Sequence, residues 1–133
     1  MKAQAKDIPE IKFVGMLDRC GIREAYREID VLVCPAREES MSIVTIEAMM
    51  NCRPAIVSDH TGIAKFLRDG ENGLVFAAGD AAMLAEKMEW LAERPRERKA
   101  MGQKARELYE EIFSLPAFEK ELCAVVDAAL EDA

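Results

Sequence analysis

The first half of the chain carries four short apolar runs that do not alternate with polar residues. They are residues 11–14 (IKFV), 31–34 (VLVC), 55–57 (AIV) and 74–76 (LVF). Each run is rich in β-branched or aromatic side chains, a pattern typical of strands that are buried on both faces of a parallel sheet. The pattern therefore predicts four strands.

Helical patterns lie between and after these runs. Residues 22–29 and 43–50 repeat apolar positions at helical spacing. After residue 76 three further helices are predicted, with apolar positions at Met83, Leu84, Met88 and Leu91, at Met101, Ala105, Leu108 and Ile112, and at Phe118, Leu122, Val125 and Ala129. We expect Asp80 to cap the first of these and Pro95 to lie at the start of the second.

Alternating strands and helices predict an α/β fold with parallel strands. We expect a Rossmann-like parallel sheet of about four strands, helices on its faces and a helical C-terminal tail. The length of 133 residues fits one domain, and no internal repeat divides it. Residues 1–133 are therefore interpreted as a single domain.

The loop after the second run opens directly into the helix predicted for residues 43–50. Ligands of open α/β sheets bind at such places, outside the carboxyl ends of the strands. The first N–H groups of a helix lack partners within it, and the helix dipole adds partial positive charge there. Ser40 and Ser42 are small and suited to capping. This loop therefore favours a phosphorylated ligand.

Two glutamates mark this region. Glu39 precedes the helix, and Glu47 lies inside it, one turn past Ile43, on the face that otherwise packs. A carboxylate there needs hydroxyl or amide donors, and sugar and ribose hydroxyls are such donors. The residues alone leave another interpretation open, in which Glu39 is a capping or dipole choice and Glu47 is exposed to solvent.

Composition and charge argue against several classes of function. A net charge of −7 disfavours a nucleic-acid partner. No apolar run approaches the roughly 20 residues of a membrane span, and the first ten residues lack a signal-peptide core. Four widely spaced cysteines and one histidine, His60, form neither a zinc-ligand pattern nor a disulfide framework. We therefore expect no bound metal and a cytoplasmic location.

Several ordered blocks resemble the family-4 glycosyltransferases of the GT-B fold. They are residues 30–35 (DVLVCP), 39–50 (ESMSIVTIEAMM), 53–57 (RPAIV) and 69–76 (DGENGLVF). At the matching places the family has a strand ending in Pro-Ser, a Glu-x7-Glu motif followed by Ala-Met, a Pro-Val-Val strand and an Asp-Gly-x-Asn-Gly-Leu loop. The resemblance extends over about residues 11–130. It implies part of the C-terminal, donor-binding domain of such an enzyme.

The resemblance implies a role for each residue of the motif. Glu39 matches the first glutamate, which contacts hydroxyls of the transferred sugar beside the reacting carbon and is the expected catalytic residue. Glu47 matches the second, which binds the ribose of the nucleotide. The sugar and diphosphate would face the backbone amides of Ser40, Met41, Ser42, Ile43 and Val44. The implied reaction is a hexosyl-type transfer, with retention, from a nucleotide-diphospho-sugar to a polysaccharide or glycolipid, without metal or further cofactor.

The chain departs from the family pattern at two places. The common Gly-Phe-Gly after the first glutamate is here Ser40-Met41-Ser42, which leaves the donor sugar open. The later Gly-Gly-x-x-Glu is here residues 61–65 (TGIAK), so that Lys65 replaces the acid. Lys65 is open to a phosphate, to a sugar acid or simply to solvent, and His60 is open to a catalytic role or none.

The resemblance also implies that parts of the enzyme lie outside this sequence. The family has an N-terminal acceptor domain, and two more strands that it places in the sheet between residues 11–14 and 31–34. Exposed strand edges invite pairing, so we expect the isolated chain to self-associate or swap strands and to be inactive alone. Peripheral association of the full enzyme with a membrane stays open. The alternative is a non-catalytic Rossmann-like binding or assembly module.

Overall fold

The computed structural model describes residues 8–131. Along them lie α1 (Arg19–Glu28), β1 (Leu32–Cys34), α2 (Ile43–Met50), β2 (Ala55–Ser58), β3 (Leu74–Phe76), α3 (Ala81–Glu93), α4 (Pro95–Leu108) and α5 (Leu115–Glu131). A short 3₁₀ helix, Gly62–Lys65, follows β2, and a π-helical turn, Tyr109–Phe113, follows α4. This order confirms the predicted α/β fold with its helical tail.

The three strands form a parallel sheet in the order β1-β2-β3. β2 is central and completely buried because both of its faces are covered. Val57 faces a core that includes Met49 of α2, whereas Ile56 faces a second core that includes Leu91 of α3. Helix α4 contributes to both cores. Burial on both faces is the property that the unbroken apolar runs predicted.

Residues 11–14 are not a strand, and the prediction of a fourth strand is wrong for the described residues. Ile11 and Val14 expose 45% and 70% of their surface. An apolar run indicates that a segment is suited to burial, but a strand also needs a neighbour to complete its hydrogen bonds. No described strand lies beside this segment.

The ends of the later helices agree with the sequence. Asp80 caps α3, because its Oδ1 accepts a hydrogen bond from the Met83 N–H at 2.9 Å. Pro95 is the first residue of α4, as predicted. Further along α4, a Cβ added to Gly102 would lie 2.2 Å from the carbonyl oxygen of Cys52. Glycine at this position therefore lets α4 approach the turn before β2 closely.

The last helix, α5, has no buried residue in the structure. Its large apolar side chains are half exposed or more, at Leu115, Phe118, Leu122, Val125 and Leu130, with Val126 close to half. None of the helices within residues 8–131 combines the length and the apolar character that crossing a membrane requires.

Candidate functional site

A cavity of about 410 Å³ lies at the carboxyl ends of β1 and β2. Its lining combines acidic, basic and hydroxyl side chains with a glycine: Glu38, Glu39, Ser40, Asp59, His60, Thr61, Gly62 and Lys65. Polar side chains meet here because parallel strands release their chains at the same edge of the sheet. The cavity is the place where the sequence predicted a ligand.

Backbone hydrogen bonds fix Glu39 in this cavity. The Glu39 N–H donates to the His60 carbonyl at 3.2 Å, and the Gly62 N–H donates to the Glu39 carbonyl at 2.9 Å. A Cβ on Gly62 would lie 1.8 Å from the Ser40 carbonyl oxygen, so only glycine permits this approach. The loop after β1 and the loop after β2 therefore form one unit, and the Glu39 side chain is exposed at its surface.

His60 is oriented by the loop that carries Glu39. Its Nδ1 lies 3.1 Å from the carbonyl oxygen of Arg37. A carbonyl only accepts, so Nδ1 carries the hydrogen and Nε2 is left for a ligand. No partner of His60 could be predicted from the sequence, because the contact with Arg37 depends on how the loops after β1 and β2 come together.

Glu38 and Asp59 also line the cavity, and neither was predicted as a site residue from the sequence. Asp59 follows β2 directly, which is the signal that could have found it. Its Oδ1 accepts a hydrogen bond from the Ala78 N–H at 2.8 Å, so that carboxylate also positions the chain after β3. Lys65 is exposed beside these acids at the end of the 3₁₀ helix.

Ser42 occupies the N-cap position of α2 but does not cap it with its side chain, contrary to the prediction. Its hydroxyl is turned inward, 2.8 Å from the Thr45 hydroxyl, and donates to the Cys34 sulfur at 3.3 Å. The backbone of Ser42 has a φ of 63°, in the left-handed region that favours glycine. Ser40 does not cap the helix either, since its hydroxyl lies 3.5 Å from Glu39 Oε1.

Without a side-chain cap, the first amides of α2 remain available. No residue among 8–131 accepts a hydrogen bond from the N–H of Ile43 or Val44. Both residues are exposed, at 70% and 48% of their surface. Met41 is also exposed. The start of α2 therefore combines free donors with the positive end of the helix dipole.

Glu47 lies in a different environment from Glu39. The Tyr26 hydroxyl donates to Glu47 Oε2 at 2.9 Å and lies 3.0 Å from the Val44 carbonyl oxygen. Burial, followed by the hydrogen bond and the charge of Glu47, raises the pKa of Tyr26. The half-buried Glu47 is therefore already partnered, by a tyrosine that the sequence did not single out.

The two glutamates of the motif open onto separate cavities. Glu47 lines a cavity of about 570 Å³ between α1 and α2, which the predicted site did not include. Three arginines of α1, one turn apart, share its lining: Arg19, Arg23 and Arg27. The structure thus brings Glu39 together with Ser40 but not with Glu47. Within the part of the chain that the structure describes, no three His, Cys, Asp or Glu side chains converge as a metal site would require.

Comparison with protein families and solved structures identifies relatives of this arrangement. The family model described as glycosyl transferases group 1 matches residues 2–108. A phosphatidyl-myo-inositol mannosyltransferase of Mycobacterium leprae is 40% identical over 88 residues, which are 65% of this chain and 24% of that protein. The chain thus spans about a quarter of this curated relative.

Two solved structures share the fold. A sucrose-phosphate synthase from Thermosynechococcus elongatus superposes with a TM-score of 0.86 at 23% identity, over 99% of this chain and 33% of that one. Anabaena HepE, solved in complex with UDP, superposes with a TM-score of 0.84 at 17% identity, over 96% of this chain and 35% of that one. The described fold is therefore part of a GT-B architecture.

Proposed function

This chain belongs to the glycosyl transferases group 1 family, and from that membership we propose that it is the donor-binding part of an enzyme that transfers a sugar from a nucleotide-diphospho-sugar. The observation that carries the proposal is the free start of α2 beside the Glu39 cavity. Amides without partners, a helix dipole and a carboxylate together suit a ligand that bears both phosphate and sugar hydroxyls.

In this proposal the amides of Ile43 and Val44 bind the diphosphate. They lack acceptors among the described residues and lie at the positive end of α2. Negative charge builds up on the departing nucleoside diphosphate during transfer. Donors that are already oriented toward that charge stabilise the transition state without reorganisation.

Glu39 is proposed to bind hydroxyls of the transferred sugar beside the reacting carbon. Its backbone is held on both sides by the 60–62 loop, so its carboxylate is offered from a fixed position. His60 Nε2 and Lys65 line the same cavity and are available to the sugar or its phosphate. Lys65 stands where the family pattern has an acid. In this proposal His60 and Lys65, rather than that acid, select the donor sugar.

Glu47 is proposed to bind the ribose. Tyr26 already donates to Oε2, so a ribose hydroxyl is expected to use Oε1. Such a carboxylate is oriented before the ligand arrives, which reduces the conformational entropy lost on binding.

The complete reaction belongs to a longer protein, since the chain spans 24% of the relative described above. We propose transfer with retention, without a metal, to a polysaccharide or glycolipid acceptor held by a separate domain. The name of the mycobacterial relative, a phosphatidyl-myo-inositol mannosyltransferase, supports a lipid-linked acceptor. A cytoplasmic location, with peripheral membrane association of the complete enzyme, is part of the same proposal, and the isolated chain is expected to bind donor without turning it over.

Calorimetric titration with UDP, GDP and TDP, and with UDP-glucose, tests these roles. Glu39→Gln is expected to weaken UDP-glucose binding about tenfold while UDP binding changes less than about twofold, because only the sugar contact is lost. Glu47→Gln should weaken both ligands. Glu97→Gln, an exposed change on α4, is the matched control. If neither this chain nor a longer form that includes the preceding strands binds any nucleotide, the non-catalytic binding or assembly module is the better interpretation.

A further inference from the structure

Two buried hydroxyls lie beside the cavity that contains Glu39 and His60. Ser58 is the last residue of β2, and Thr61 follows three residues later in the loop after β2. Their hydroxyl oxygens are 3.0 Å apart. A buried hydroxyl costs free energy unless it is hydrogen-bonded, so the partners of this pair indicate its role.

The Ser58 hydroxyl connects β2 with the loop after β1. It donates to the carbonyl oxygen of Ala36, two residues past the end of β1. A carbonyl oxygen only accepts and a hydroxyl has one hydrogen, so this bond uses the hydrogen of Ser58. Thr61 Oγ1 is then a donor, because the acceptors left to it are the Ser58 carbonyl at 2.8 Å and Ser58 Oγ. Ser58 thus joins the two loops, and Thr61 holds Ser58.

The contact with Ala36 lies next to the contact that orients His60. The carbonyl of Ala36 accepts from Ser58, and the carbonyl of the following residue, Arg37, accepts from His60 Nδ1 at 3.1 Å. Two consecutive carbonyls of the loop after β1 are therefore held by side chains from β2 and the loop after it. Because Ala36 and Arg37 are adjacent, releasing the first carbonyl also allows the second to move away from His60.

The turn that contains the two hydroxyls also holds Glu39. The Thr61 N–H donates to the Ser58 carbonyl at 3.1 Å, which closes this turn. The residues on either side of Thr61 bind the backbone of Glu39, because the His60 carbonyl accepts its N–H and the Gly62 N–H donates to its carbonyl. The hydroxyl pair therefore lies where the spacing between the Glu39 carboxylate and the His60 ring is determined.

We propose that Ser58 and Thr61 are positioning residues, whose buried hydroxyls set the separation of Glu39 and His60 so that the donor sugar contacts both side chains. This inference rests on the proposed function, which assigns Glu39 and His60 to that sugar. Neither hydroxyl contacts the sugar, since both are already bonded within the protein. They fix the binding groups before the sugar arrives, which reduces the entropy lost on binding.

The tautomer of His60 tests this positioning without any ligand. His60 is the single histidine of the chain, so its ring nitrogens can be followed by ¹⁵N NMR at slightly alkaline pH, where histidines are neutral. We expect the hydrogen on Nδ1 in the parent and a mixture of both tautomers in Ser58→Ala, because a ring without its carbonyl partner is no longer fixed. Thr61→Val should shift in the same direction, whereas Thr61→Ser, which keeps the hydroxyl, should resemble the parent.

Ser114→Ala is the matched control for the loss of a buried hydroxyl. The Ser114 hydroxyl also donates to a carbonyl, that of Glu110 at 2.8 Å, but it lies just before α5 and does not line the cavity. This variant should keep the Nδ1 tautomer. The inference is overturned if folded Ser58→Ala and Thr61→Val keep the tautomer of the parent, or if Ser114→Ala changes it equally. Thr61→Val decides the test alone if circular dichroism shows that Ser58→Ala does not fold.

Calorimetric titration connects the positioning with the donor, with UDP-glucose and UDP as the probes. Ser58→Ala should weaken UDP-glucose binding about fivefold while UDP binding changes less than about twofold, because the two loops hold only groups assigned to the sugar. An unchanged affinity for UDP-glucose, or an equal loss for both probes, would overturn the inference. A parent that binds neither probe would instead contradict the proposed function, and the His60 tautomer would still decide whether the hydroxyls position the loops.

Discussion

Removing the hydroxyl of Tyr26 tests whether Glu47 is held in place before any ligand binds. The hydroxyl lies 2.9 Å from Glu47 Oε2 and 3.0 Å from the Val44 carbonyl, and its single hydrogen is shared between them. A hydrogen bond to a charged group contributes about 1.5–3 kcal/mol, and water that reaches the half-buried carboxylate reduces this. Tyr26→Phe should therefore lower the free energy of unfolding by about 1–2 kcal/mol.

A double-mutant cycle with Glu47→Gln separates the pair from its surroundings. Urea unfolding can be followed by the fluorescence of Trp90, the single tryptophan, and by circular dichroism. We expect a coupling energy of about 1 kcal/mol between the two substitutions. Tyr109→Phe is the matched control, because no described residue hydrogen-bonds to that hydroxyl. A Tyr26→Phe protein as stable as the parent, or a coupling of zero, would refute the reasoning.

The Tyr26–Glu47 pair also predicts that the free energy of unfolding decreases at alkaline pH. Burial, together with the hydrogen bond and charge of Glu47, raises the pKa of Tyr26. An unfolded tyrosine ionises near pH 10, so above about that pH the unfolded chain loses a proton that the folded chain keeps. This contribution to stability is complete below about pH 10 and is lost as the pH rises, by up to about 1.4 kcal/mol per pH unit. Tyr26→Phe should lack that loss, and parallel pH profiles of the two proteins would contradict it.

Two further substitutions test close contacts. Gly102→Ala places a Cβ 2.2 Å from the Cys52 carbonyl and should cost more than about 2 kcal/mol in urea unfolding, whereas Gly21→Ala, which meets only exposed side chains, should be neutral or stabilising. Asp69→Ala removes the acceptor of the Val75 N–H and should speed the exchange of that amide about tenfold, while Asp69→Asn, which keeps an acceptor, should change it less. An unchanged Val75 rate in Asp69→Ala would contradict the second.

Local sequence predicted the elements whose partners lie in the same chain. The runs at β1, β2 and β3 became strands because each has a neighbour to pair with. Residues 11–14 have an equally suitable pattern, but no described strand lies beside them. Propensity is a local property, whereas a ladder of hydrogen bonds needs two segments, and this difference explains the error.

In the candidate site, too, features set by neighbouring residues could be predicted and features set by distant segments could not. The position of Glu39 beside the start of α2 follows from chain order, since the loop after a strand leads directly into that helix. The partner of Glu47 does not, because Tyr26 lies 21 residues earlier and meets it only through helix packing. His60 and Asp59 line the cavity from the loop after β2, and the spacing of residues in the loop after β1 could not indicate this.

The left-handed backbone of Ser42 has a consequence for how this loop could have changed during evolution. Glycine adopts a φ of 63° without strain, whereas a residue with a Cβ is strained there. Serine keeps that conformation here, and its hydroxyl ties α2 to β1 through Thr45 and Cys34. Ser42→Gly would relieve the left-handed φ but remove both hydroxyl contacts. Serine and glycine could therefore hold this backbone path by different means, one through side-chain contacts and the other through freedom from strain.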